Sequence, residues 1–68
     1  MRDFKEFLEE FYNGKIDNGL YNTTNENNEQ MIVTITSDLL QTSVCQNNGW
    51  IRKNIYYKDH TTEELYEK

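Results

Sequence analysis

One thiol, one imidazole and twelve carboxylates are the groups in these 68 residues whose chemistry could turn over a substrate. Cysteine–histidine catalysis needs Cys45 and His60 within hydrogen-bond reach. An antiparallel reading of residues 40–58 puts them at opposite ends of a strand of about nine residues, roughly 30 Å at about 3.3 Å per residue. The pair is therefore read as a free thiol and a turn histidine beside Asp59. A zinc site needs about four convergent ligands, and one Cys with one distant His does not supply them. Carboxylate pairs occur at Glu9-Glu10 and Glu63-Glu64. An acid/base pair also needs a cleft that raises one pKa, which a chain this short rarely builds, so these are read as solvated charges. The three glycines, at 14, 19 and 49, form no phosphate-cradling loop. The expectation is a protein without catalysis, metal or cofactor.

The other chemically suggestive stretch is residues 48–58, NGWIRKNIYYK, in which Arg52, Lys53 and Lys58 are threaded among Trp50, Tyr56 and Tyr57. Aromatic and cationic residues on one sheet face can stack and hold bases. Yet the whole chain carries a net charge of −5, and setting these three cations aside leaves four Lys and Arg against twelve Asp and Glu, a balance of −8. A polyanion approaching the stretch meets a repelling surround, so direct nucleic-acid binding is the secondary reading. The bland reading is local charge balance, with Glu63, Glu64 and Glu67 of a neighbouring strand beside the cations.

The elements that would position these groups follow from periodicity. Phe4, Phe7, Leu8 and Phe11 share one face of a helix over residues 2–13, with Asp3, Glu6, Glu9 and Glu10 on the other face and Asn13-Gly14 as its stop. Residues 14–29 read as a loop, polar and Asn-rich from 22 onward, with Ile16, Leu20 and Tyr21 able to form one short anchoring turn. From residue 30 the period falls to two, giving strands at 30–36, 40–46, 50–58 and 61–67, within an antiparallel sheet over 30–67. A helix over 37–46 is the rival, against which Thr42, Ser43 and Val44 argue.

Two-residue loops near 37–38 and at 47–48 or 48–49 place Met31, Val33, Ile35, Leu40, Val44, Ile51, Ile55 and Tyr57 on one side of the sheet. The helix covers that side, giving a single α+β domain with one N-terminal helix on a three- to four-stranded meander. Lys53 falls on the same side and fits only at an edge or beside a bulge. The open side then carries Thr34, Thr36, Gln41, Ser43, Cys45, Trp50, Arg52, Asn54, Tyr56 and Lys58. Trp50, Arg52, Asn54 and Tyr56, with Asp59, Glu63, Glu64 and Glu67, are the expected partner-binding residues, and Glu6, Glu9 and Glu10 form a second acidic face.

A domain of this length buries only about 60% of the surface of its unfolded chain. With 35% hydrophobic residues, five Tyr, three Phe and one Trp, the aromatics must carry much of that burial. A single Cys permits no internal disulfide, and the acidic N-terminal stretch has no signal-peptide character, which together imply a reducing cytosol. In size, acidity and abundance of Asn and Lys the whole chain resembles small phage and mobile-element proteins of low-GC Gram-positive bacteria, and in kind the anti-CRISPR and related anti-defence inhibitors. That resemblance implies a host nucleic-acid-binding protein, such as a CRISPR effector, as partner in the bacterial cytosol. Its nucleic-acid site would be blocked by carboxylates and an aromatic anchor from Trp50 or Tyr56. A nucleic-acid-binding accessory protein using the Trp50 and Tyr56 face, and a self-associating module pairing through sheet edges, are the alternatives; a monomer and a homodimer are both compatible with the sequence.

Overall fold

The N-terminal helix forms where the apolar spacing places it, and both of its ends are closed by specific groups. In the computed structural model, which describes residues 3–68, α1 spans Phe4–Tyr12. Asp3 is its N-cap in extended conformation, and its carboxylate Oδ1 accepts the Glu6 N–H at 2.9 Å. At the other end Gly14 (φ +66°) donates its N–H to the Phe11 carbonyl at 3.1 Å, and Lys15 donates to the Glu10 carbonyl at 2.8 Å. This double closure requires the left-handed conformation at Gly14. The Lys58 ammonium also donates to the Phe11 carbonyl and lies 4.1 Å from the centre of the Phe11 ring. Residue 2, the first of the helix expected over 2–13, lies outside the described residues.

Five strands follow: β1 (Gly19–Thr24), β2 (Gln30–Ile35), β3 (Leu39–Cys45), β4 (Ile51–Tyr57) and β5 (Thr62–Glu67), antiparallel and adjacent in chain order. The α+β architecture is as expected, but the sheet has five strands rather than three or four. The extra one, β1, lies within the stretch read as a loop. Its alternation is hidden because Leu20 points outward and is 74% exposed, while the inward positions are Tyr21 and Thr23. Residues 39–45 are strand, which overturns the rival helix over 37–46.

Loop length decides which side chains meet the helix. Between β2 and β3, Thr36 donates to the Leu39 carbonyl at 2.9 Å across a two-residue loop, Ser37-Asp38. This keeps Met31, Val33 and Ile35 on the same side as Leu40, Thr42 and Val44, as the sequence indicates. The other three connections have three residues. Asn25 with Glu29, Gln46 with Trp50 and Tyr57 with Thr61 are the closing pairs, N–H to carbonyl at 3.1, 2.8 and 3.0 Å. In each loop the last residue has positive φ: Asn28 at 62°, Gly49 at 87° and His60 at 71°. These are type I turns followed by a left-handed residue, a common three-residue hairpin solution.

The extra residue at 47–49 corrects the expected faces of β4. Leu40, Thr42 and Val44 stand opposite Tyr56, Asn54 and Arg52, and it is Ile51, Lys53, Ile55 and Tyr57 that turn away from the helix. The misfit of Lys53 in the even-loop register was the sequence-level sign of this shift.

The core is Phe7 and Phe11 of α1 against Met31, Val33, Ile35, Leu40 and Val44, with Phe4, Leu8, Tyr12, Ile16, Tyr21 and Tyr56 packed around it. Phe7 meets Tyr21 and Phe4 meets Tyr56 with ring centres 5.4 and 5.3 Å apart. All six residues of β5 are exposed. Among the described residues no helix is long and apolar enough to cross a membrane.

Two measurements check this packing and register. Phe11 is 1% exposed, so Phe11→Ala should cost about 3–5 kcal/mol in denaturant melts, a large part of the roughly 5 kcal/mol expected of so small a domain. Cys45 faces Ile51 directly, so Ile51→Cys should form an intramolecular disulfide under mild oxidation and Arg52→Cys should not. Cross-linking through position 52 instead would restore the even-loop register.

Candidate functional site

β4 is amphipathic in the inverse sense to the core strands beside it. Arg52, Asn54 and Tyr56 face the helix side, and Ile51, Ile55 and Tyr57, with Lys53 among them, face outward on a side that α1 does not cover.

On the helix side, Arg52, Asn54 and Tyr56 form one stripe, as the sequence suggests, but within a groove rather than on an open platform. The groove has a volume of about 620 Å³ and runs between the first turn of α1, the β1–β2 loop and the floor of the sheet. Arg52 approaches Glu29 of that loop, Nη2 to Oε1 4.0 Å, and the Glu29 Oε1 also accepts the Asn25 Nδ2–H at 2.9 Å. The Tyr56 ring packs on Phe4. Burial pushes its hydroxyl pKa up, Tyr12 and Glu64 push it further, and Arg52 opposes them. Trp50 lies outside the groove. It closes the β3–β4 hairpin, its N–H is held by Asn48 Oδ1 at 3.0 Å, and it is 38% exposed, with the Lys68 ammonium 5.7 Å from the centre of its ring.

On the open side a group of apolar residues lies toward the β5 edge, while Leu20, 74% exposed, stands alone on β1 at the opposite edge. Ile51, Ile55 and Tyr57 of β4 are joined by Leu65 of β5, which is 42% exposed, and farther along the sheet by Ile32, 48% exposed. Sequence reasoning missed this surface because it assigned the β4 residues to the core. Lys53 sits in its middle and bonds to Glu67 at 2.9 Å. The expected balance of β4 cations by β5 carboxylates thus holds for Lys53. Arg52 instead approaches Glu29, and Lys58 is drawn to the end of α1.

The acidic residues divide in the same way. Glu63, Glu64 and Glu67 lie on the exposed edge strand, and Glu6 and Glu9 project from α1 into solvent, with Glu10 partly covered. Asp59 is committed to its own turn, where its Oδ1 accepts the Thr61 hydroxyl at 2.6 Å and the Thr61 N–H at 3.0 Å. Those two bonds hold its carboxyl below the ordinary range. This makes Asp59 a loop-closing residue first, which its place in the sequence does not reveal. Cys45 and His60 lie at opposite ends of the β3–β4–β5 ladder, and His60 stacks on Tyr12 with ring centres 4.0 Å apart. Among the described residues no three His, Cys, Asp or Glu side chains converge in a way that could hold a metal ion.

No family model, curated protein or solved structure matches the chain.

The Asp59 turn sets a pH dependence. A carboxyl whose folded pKa is depressed contributes stability above its unfolded pKa and loses it as pH falls through the folded value. Thr61→Val removes the hydroxyl donor, so the difference in melting temperature between the wild type and this variant should be present at about pH 5 and shrink toward about pH 2. A difference of the same size at both pH values would mean that the carboxylate is not its source.

Proposed function

We propose that the chain is a small non-catalytic binding protein that docks on another protein through the open side of its sheet. The observation that carries this reading is the exposed Leu65 beside the half-buried Ile51, Ile55 and Tyr57 on the outward face, with Glu63 and Glu67 on the same face. Apolar side chains grouped on an uncovered sheet face are energetically useful when a partner removes them from water, and a few well-packed ones dominate most interfaces. Glu63 and Glu67, which flank Leu65 on that face, would steer the partner and require it to be basic, while Glu64 stands opposite Asn54 on the helix side. In its sharper form the protein is an anti-defence inhibitor of the anti-CRISPR kind. It would occupy the basic nucleic-acid channel of a host enzyme, such as a CRISPR effector, in the bacterial cytosol.

The direct nucleic-acid reading loses its platform, because Tyr56 is packed on Phe4 and Arg52 lies in the groove, leaving Trp50 as the exposed aromatic of that set. Self-pairing through β5 would set its carboxylates against those of a second copy, which like charges oppose.

The test is capture of partners from a bacterial lysate by the wild type, by Ile55→Glu and by the double variant Glu63→Lys with Glu67→Lys, each first shown to be folded. The expected result is a captured nucleic-acid-binding protein that an oligonucleotide displaces, with both variants weakened by about tenfold or more, the range of an interface hot spot. Undiminished capture by the folded variants would sink the mechanism. A salt-sensitive shift of single-stranded oligonucleotide by the isolated protein, at about 50 mM salt, would transfer the reading to nucleic acid.

A further inference from the structure

The floor of the helix-side groove is not internally satisfied. Thr42 is 1% exposed, and its Oγ1 is buried without a hydrogen-bond partner among the described residues; the same is true of Arg52 Nε. Both line the groove, together with Asn54, Tyr56, Met31 and Phe4. Buried polar groups are ordinarily paired, and each unpaired one calls for a reason. Valine would fill the space of Thr42 with no hydroxyl to satisfy, and an apolar residue at 52 would extend the core. Two adjacent strands instead present donors at neighbouring points of one floor. Thr42 stands directly opposite Asn54, and Arg52 is its diagonal neighbour on the same face.

The chemistry of those donors selects a class of ligand. One end of the Arg52 guanidinium, Nη2, is turned toward Glu29 at 4.0 Å. Its Nε–H, which shares a planar fork with Nη2, can give a charge-assisted hydrogen bond to one oxygen of a carboxylate. The Thr42 hydroxyl can supply a further donor to the same group. Phe4, Met31 and the ring of Tyr56 offer apolar surface beside this polar floor. Lys5 and Glu26 also line the groove, one charge of each sign, and the Asp3 carboxylate is occupied by the Glu6 N–H. A singly charged ligand is tolerated there better than a phosphate dianion, which would meet Asp3, Glu26 and Glu29 with twice the charge.

We propose that this groove binds a monocarboxylate with an apolar body, its carboxylate held by Arg52 and Thr42, whose covered Nε and Oγ1 turn into the groove to meet it, and its body lying against Phe4, Met31 and Tyr56. The carboxylate can belong to a free organic acid or to the C-terminus of a peptide. The site lies across the sheet from the docking face and stands or falls independently of it.

Amide chemical-shift titration of the whole protein tests this, with phenylacetate, with a short peptide ending in Phe and with the same peptide amidated. The expected result is saturable shifts centred on residues 42, 52, 54 and 56 with at least one of the two carboxylates, below about 10 mM, and none with the amidated peptide. Response to phenylacetate identifies a free acid as sufficient, and response to the free-acid peptide alone identifies a chain terminus. Thr42→Val should weaken binding several-fold while leaving the melting temperature equal or higher, because it deletes an unpaired buried hydroxyl. Arg52→Lys keeps the charge but loses the fork, and should weaken binding by about tenfold or more. The proposal is overturned by the absence of groove shifts with both carboxylates, by equal shifts from the amidated peptide, by inorganic phosphate acting where the carboxylates do not, or by binding that both folded variants retain in full.

Discussion

The length of each hairpin loop, counted to a single residue, governs the rest of this structure. An antiparallel pair closed by an even loop joins residues of opposite parity on one face, and an odd loop joins residues of the same parity. Here one two-residue loop stands among three of three residues, and each longer loop ends on a residue held at positive φ. Gly49 accepts that conformation without steric cost, while Asn28 and His60 belong to the residue types that tolerate it best after glycine. Had the 47–49 loop been one residue shorter, Ile51 and Ile55 would have joined the core and Arg52 would have faced water. The longer loop turns β4 over, and the groove and the outward apolar surface follow from that one residue.

The parts of the fold that were legible in the sequence depend on signals carried within one element. The helix face of Phe4, Phe7, Leu8 and Phe11, its Gly14 stop and the inward set Met31, Val33, Ile35, Leu40 and Val44 are of this kind. The β1 strand was not legible, because an edge strand with one large inward ring and an outward leucine has no alternation to detect. The faces of β4 failed for a different reason. Asn47-Asn48-Gly49 suits a turn of either two or three residues, and only the tertiary structure distinguishes them. Arg52, Asn54 and Tyr56 were correctly grouped as one stripe, since alternation is local, but the side of the sheet they occupy depends on register. Lys53 alone, stranded among apolar residues, carried that information in advance.

Charge is sorted by the same geometry. The cations of β4 and its following loop are drawn into internal duties, with Lys53 on Glu67, Arg52 toward Glu29 and Lys58 at the end of α1. Exposed ion pairs of this kind contribute little to stability. They do neutralise the basic stretch locally, so that the surface presented by α1 and β5 is predominantly anionic. An apparently basic motif thus sits inside a protein whose outward field is acidic.

The bond from Lys58 to the Phe11 carbonyl joins groups 47 residues apart in the chain. Together with the His60 stack on Tyr12, it means that α1 is secured at its C-terminal end by residues that leave the ribosome well after it. On the ribosome, the apolar face of α1 must wait for β2 and β3 before it has a surface to cover, and for residue 58 before its final turn is held. Contacts of such sequence separation slow the search for the native state, and they leave a phenylalanine-rich face unprotected in the meantime. The acidic residues on the opposite side of that helix would keep the waiting segment dispersed in water, a service rendered before there is a sheet to pack against.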